Sequence, residues 1–191
     1  MKKIWTKTLA MALVAMLSMS LASCDWDDDD YIAYTLEGTW QGNMYMSSEW
    51  DGRTYDATSS EICFLRDPYY YSSGSGYWVD YYRNAPWGRD YVANHIDWTV
   101  RNGVIEVYFR EERTTLWIEH YRLSDNYFSG TIYDGESRVD FRLRHVDSPN
   151  WNNYYYGWDY YDDYYYAKPN GIEADTEVAT QAVGKRILRT K

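Results

Sequence analysis

The sequence predicts an all-β domain closed as an antiparallel barrel, and three features carry that prediction. Apolar and polar residues alternate through most of Leu36 to Val146, the period of a strand with one buried face. Tight-turn pairs interrupt the alternation at Asp51-Gly52, Asn102-Gly103 and Asp134-Gly135. No stretch between them keeps a helical period. The aromatic content agrees: 23 Tyr and 10 Trp against 4 Phe, residues that suit pleated surfaces and combine an apolar body with a polar tip.

Taken in order, Gly38 to Met46 forms the first strand and places Trp40, Met44 and Met46 on one face. After Asp51-Gly52 a long strand runs from Arg53 to Arg66, with Ile62 and Phe64 together on one side. Ser72 to Gly76 reads as a flexible loop and Tyr77 to Arg83 as a short aromatic strand. Ile96, Trp98 and Val100 then alternate up to Asn102-Gly103, and Ile105, Val107 and Phe109 alternate on the return. Leu116 to Leu123 gives another strand before a turn at Asp125-Asn126. Phe128, Gly130 and Ile132 lead to the two-residue turn Asp134-Gly135, and Val139, Phe141 and Leu143 end the series facing inward. Arg138, Asp140, Arg142 and Arg144 face outward.

Short hairpins make sequence neighbours pair antiparallel, so about eight strands are expected to form an up-and-down barrel, which removes exposed edges. A sandwich is the alternative. The opening Leu36-Glu37-Gly38-Thr39-Trp40 resembles the Gly-x-Trp of the first strand in lipocalins and lipocalin-like bacterial lipoproteins. That resemblance implies a tryptophan plugging one barrel end against a basic residue of a late strand, here Arg142 or Arg144. The domain is therefore placed at residues 36–147.

Ahead of it, Lys2, Lys3 and Lys7 precede an apolar run from Leu9 to Leu21, and no acid occurs before Asp25. The run is too short to span a bilayer, which takes about 20 apolar residues, but fits the core of an export signal. Leu21-Ala22-Ser23-Cys24 resembles the lipobox of bacterial lipoproteins. The resemblance implies cleavage after residue 23, a diacylglycerol thioether on Cys24 and further acyl chains such as palmitate. The mature chain is then anchored to a membrane and does not span it. One chain holds only marginally and two or more hold stably, at about 0.8 kcal/mol per buried methylene.

Residues 24–35 read as the lipidated cysteine and an acidic linker. Asp25 and Asp27 to Asp30 form a solvated spacer held extended by self-repulsion. The same run resembles the surface-export signal of Bacteroidota lipoproteins, implying an outer-membrane, cell-surface location. An Asp next to the cysteine marks inner-membrane retention in other bacteria.

Loss of the first 23 residues removes three lysines and takes the formal charge from −10 to −13. That balance argues against nucleic acid or anionic lipid as partner. With Cys24 lipidated, Cys63 has no disulfide partner, and in Ile62-Cys63-Phe64-Leu65 it is expected to be an inert core thiol. Residues 148–191 form a tyrosine-rich, low-complexity tail, expected to be disordered or loosely packed along the barrel, with weak helical potential after Gly171.

No catalytic template is present: there is no Gly-x-Ser-x-Gly, His-Glu-x-x-His, Walker or Gly-x-Gly-x-x-Gly motif. His95, His120 and His145 read as surface-facing strand residues and not as metal ligands. The chain is expected to be no enzyme and to need no cofactor or metal. Two readings remain. Trp40, Trp98, Phe109, Phe128 and Phe141 line a pocket for a small apolar ligand, or they fill the interior and leave recognition to the surface. In the second reading Tyr69, Tyr70, Tyr71, Trp87 and the tail meet glycans or partner proteins.

Overall fold

The computed structural model describes residues 28–158 and 184–189. A helix, α1 (Asp28–Leu36), leads into β1 (Gly38–Asn43), β2 (Met46–Trp50), β3 (Arg53–Arg66), β4 (Ser73–Tyr82) and β5 (Tyr91–Arg101). β6 (Val104–Phe109), β7 (Thr114–Leu123), β8 (Tyr127–Tyr133), β9 (Arg138–Val146) and β10 (Lys185–Leu188) follow. Each of β3 to β8 pairs antiparallel with the next, and β1 pairs with both β9 and β3. The sheet thereby closes on itself as an eight-strand antiparallel barrel made of β1 and β3 to β9.

The first half of β3 extends beyond β1 and pairs with β2, which in turn carries β10 on its other edge. β1 and β2 are separated by a sharp break at Tyr45 (φ 53°), whose amide donates to Asn43 Oδ1 at 2.6 Å. The strands alternate in direction. One end of the barrel therefore holds α1 and the turns β3–β4, β5–β6 and β7–β8. The other end holds the turns β2–β3, β4–β5, β6–β7 and β8–β9, together with β10.

Turn chemistry sets much of the register. Asn102 and Gly103 have φ of 51° and 72°, and Asp51 and Gly52 have 48° and 68°. These are the left-handed pairs that match strand twist in a two-residue hairpin. Asp134-Gly135 differs from expectation: β8 and β9 are joined by four residues, since Asp134 Oδ1 accepts from the amides of Glu136 and Ser137. The acceptor side chain supplies an Asx turn in place of the two-residue form.

Three local expectations are corrected. Ser73 to Gly76 is strand, not loop. A Cβ on Gly74 or Gly76 would come within 1.9 Å of the carbonyl oxygens of Leu65 and Cys63, so glycine there permits close pairing with β3. Asp28, Asp29 and Asp30 are not an extended spacer but the first turn of α1, where carboxylates favour the positive helix end. Lys185 to Leu188, expected to be weakly helical, is strand β10.

The 148–191 segment is also less separate than its composition suggests. Thr39, Cys63, Tyr77 and His95 form one row across the outer face of β1, β3, β4 and β5. Residues 148–158 cross that row: Ser148 Oγ lies 2.5 Å from Thr39 Oγ1, Trp151 stacks on Tyr77 at 4.9 Å, and Tyr156 stacks on His95 at 3.8 Å. Cys63 is buried here, under this segment and on the outer face, opposite in parity to Ile62 and Phe64. Burial raises its thiol pKa above the ordinary value, and hydrogen bonds from Thr39 and Ser148 offset only part of that. Trp158 then packs between Trp50 and Trp87 at 5.8 and 5.3 Å. Tail residues 159–183, 190 and 191 lie outside the described residues.

Candidate functional site

The barrel interior is the site the sequence points to. Trp40, Trp98, Phe109, Phe128 and Phe141 come from five different strands, face inward and are at most 4 % exposed. Phe128 is the hub. Its ring meets Trp40 at 5.7 Å, Phe64 at 6.5 Å and Phe141 at 5.0 Å, all edge-on, as the ring quadrupole favours. Phe64 extends the cluster to Trp98 at 5.6 Å. Four of the five rings thus share one continuous aromatic packing. Phe109 stands apart from it, against Trp78 at 5.0 Å.

Both ends of this interior are occupied. At one end α1 packs on β3, β5 and β7 and buries Ala33 and Leu36, and the Leu36 carbonyl accepts from Trp40 Nε1 at 2.8 Å. Asp29 fixes the helix by accepting from the amides of Asn102 and Gly103, both at 2.7 Å. The basic residue expected against Trp40 is neither Arg142 nor Arg144. Arg142 lies over the Tyr127 ring and Arg144 donates to Gln41. His145, directly opposite Trp40 in the β1–β9 register, stands edge-on to the indole at 5.0 Å. Parity decides this: residues directly opposite share a face. His145 therefore shares the inward parity of Trp40 but sits at the rim, where it is exposed as expected.

At the other end the interior turns polar. Asp80 is fully buried on β4 and accepts from Trp78 Nε1 at 2.9 Å and Ser60 Oγ at 2.5 Å. Arg186 of β10 enters the barrel and brings Nη2 to 2.9 Å from Asp80 Oδ2 and 3.4 Å from Glu112 Oε1. Its guanidinium carbon sits 4.2 Å from the Phe109 ring centroid. Glu112 is further held by Asn94 Nδ2 at 2.8 Å. Burial raises the Glu112 pKa above the usual carboxylate value, against the pull of Arg186 and the Asn94 hydrogen bond. Burial alone would lower the Arg186 pKa, but Asp80 and Glu112 more than offset it.

Sequence reasoning did not single out this cluster. Asp80 sits between Trp78 and Tyr82 on one inward face, so an acid at an inward position was a usable signal. Arg186 gave none, because four residues at the end of a polar stretch show no period.

Among the described residues the histidines stand apart from one another. His95 Nδ1 lies 2.5 Å from Glu111 Oε1, while His120 stands exposed at a bulge of β7 with φ 49°. Among the described residues no group of three or more His, Cys, Asp or Glu is arranged to hold a metal ion. No described helix is long and apolar enough to cross a membrane. Cys24 and the export signal lie outside the described residues.

The surface aromatics are unevenly placed. Tyr69, Tyr70 and Tyr71 of the β3–β4 turn are 84, 72 and 57 % exposed. Trp87, expected on the surface with them, is buried against Trp50, Tyr55 and Tyr82. Beside the tyrosine turn is an open cleft of about 370 Å³ lined by Arg66, Asp67, Asp97 and Arg110. Arg110 and Asp97 are paired to one another there.

No protein-family model matches the chain, and no curated protein matches it significantly.

Proposed function

We propose that this chain is a non-catalytic envelope lipoprotein, anchored through lipid on Cys24 and displayed at the outer membrane, whose barrel is a filled platform for surface recognition. The observation that carries the choice between a pocket and a platform is the packing of the predicted pocket residues on one another. Trp40, Phe128 and Phe141 are in mutual or shared contact, Phe64 bridges to Trp98, and Phe109 is covered by Trp78 and Arg186. Large rings used this way contribute to stability in place of binding. The anchor rests on Leu21-Ala22-Ser23-Cys24 after a basic start and a short apolar run. The acidic run behind it supports surface export.

The test is mass spectrometry of the mature protein from a host that processes lipoproteins, followed by organic extraction of the folded domain. Acyl mass on Cys24, release of a Cys24→Ala variant from membranes, and an extract without a stoichiometric small molecule are expected. An unmodified Cys24 defeats the anchor. A stoichiometric apolar ligand defeats the filled platform and restores the pocket.

A further inference from the structure

Among the described residues the exposed apolar surface is gathered at the end of the barrel where α1 enters. Tyr31 and Tyr34 on α1, Leu65 and the Tyr69-Tyr70-Tyr71 turn, and Tyr127 after the β7–β8 turn are all exposed there. Among the described residues only Tyr108 and Tyr155 of the exposed large apolar side chains lie elsewhere. From this asymmetry we infer that the α1 end of the barrel lies on the phospholipid headgroup layer that holds the anchor, with these tyrosines inserted among the headgroups. The inference rests on lipidation of Cys24 as proposed above.

Three observations point to lipid as the occupant. Asp28 begins α1 only four residues after Cys24. At ~3.3–3.6 Å per residue that stretch spans about 14 Å at most, so this end cannot stand far from the bilayer. The side chains are of the kind that suits a headgroup region: amphipathic rings in place of long aliphatics. Guanidinium groups also lie beneath two of the rings, with Arg66 5.2 Å from the Tyr34 centroid and Arg142 5.2 Å from that of Tyr127. Arg66 is also paired with Glu37 at 3.3 Å, so these guanidiniums hold the rings at the surface by cation–π contact. The acidic run that includes Asp28 and Asp30 disfavours anionic lipid, so the occupant is a zwitterionic phospholipid surface.

The full acylated chain, in a Cys63→Ser background, is reconstituted into phosphatidylcholine vesicles with a nitroxide on Tyr70→Cys or, at the opposite end, on Glu136→Cys. Acyl mass on Cys24 is recorded for the same samples. The label at 70 is expected to be shielded several-fold from a water-soluble nickel relaxant and exposed to oxygen, and the label at 136 the reverse. Adding Tyr31→Ser, Tyr69→Ser and Tyr71→Ser should return the label at 70 to water with the urea unfolding midpoint unchanged. Equal aqueous exposure at 70 and 136 on an acylated chain overturns the docking alone and assigns the tyrosines to a soluble partner. An unacylated Cys24 overturns the anchor and the docking with it.

Discussion

Replacing Arg186 by Met tests whether the interior charge cluster is closed to solvent. The guanidinium lies 2.9 Å from Asp80 and 3.4 Å from Glu112, with side-chain exposures of 3, 0 and 5 % for the three groups. At an effective dielectric constant near 20, the shorter contact alone is a gross attraction of ~6 kcal/mol. Most of that offsets the several kcal/mol needed to desolvate each ion, so the intact cluster contributes little net stability. Removing one member is different, since it leaves buried carboxylates without a counter-charge at a cost of about 3–5 kcal/mol. Asp80 keeps its bonds from Trp78 and Ser60, which places the expected loss near the lower end, ~3 kcal/mol.

In a domain of this size that corresponds to a fall in Tm of about 6–12 °C. Urea unfolding followed by tryptophan fluorescence should show a lower midpoint at unchanged slope. The triple variant Arg186→Met, Asp80→Asn, Glu112→Gln should recover most of the loss, because no buried charge remains. Arg186→Met within ~0.5 kcal/mol of the parent, the range of an ordinary surface change, would refute the reasoning, as would a triple variant no better than the single one.

Glu112 gives a pH signature. Its pKa is raised in the folded protein, so the stability it contributes is present below its ordinary value of 4.5 and is lost as pH rises through the folded value. The parent should therefore lose stability relative to Glu112→Gln as pH climbs from 4 toward neutrality, read from urea midpoints at each pH. Phe128→Ala should cost about 3–5 kcal/mol by opening a cavity among Trp40, Phe64 and Phe141, measured by the same unfolding curves. Asp29→Ala should cost about 1 kcal/mol, in the range of a lost helix cap, and should speed amide exchange at Asn102 and Gly103. Trp151→Ala should turn Cys63 from inert to maleimide-reactive, followed by mass shift, because Trp151 and Ser148 lie over its thiol.

Much of the barrel was legible because each strand carries its own evidence. Ile96, Trp98 and Val100 alternate up to a turn that Asn102 and Gly103 can form without strain, and both signals are local. Inward parity then followed, and all five aromatic site residues proved buried. What was not legible depends on partners distant in sequence. The Asp28–Asp30 run looks like a repelled spacer until the amides of Asn102 and Gly103 are placed beneath Asp29. Gly74 and Gly76 look like a loop until the carbonyls of β3 are brought against them. β10 has no apolar period of its own, and what makes it a strand is the free edge of β2 and the carboxylates that receive Arg186. Cys63 was correctly expected to be buried, but its cover comes from Ser148 and Trp151, which composition had assigned to a loose tail.

The position of Arg186 also bears on timing. Synthesis proceeds at ~5–20 residues per second, so Asp80 and Glu112 are complete seconds before the arginine that neutralises them. A barrel formed without β10 holds two acids buried at one end and leaves the outer edge of β2 unpaired. Charge compensation at that end of the barrel is thereby made conditional on β10. A chain interrupted anywhere before it carries an open edge and an uncompensated interior, and is marked as unfinished by its own electrostatics.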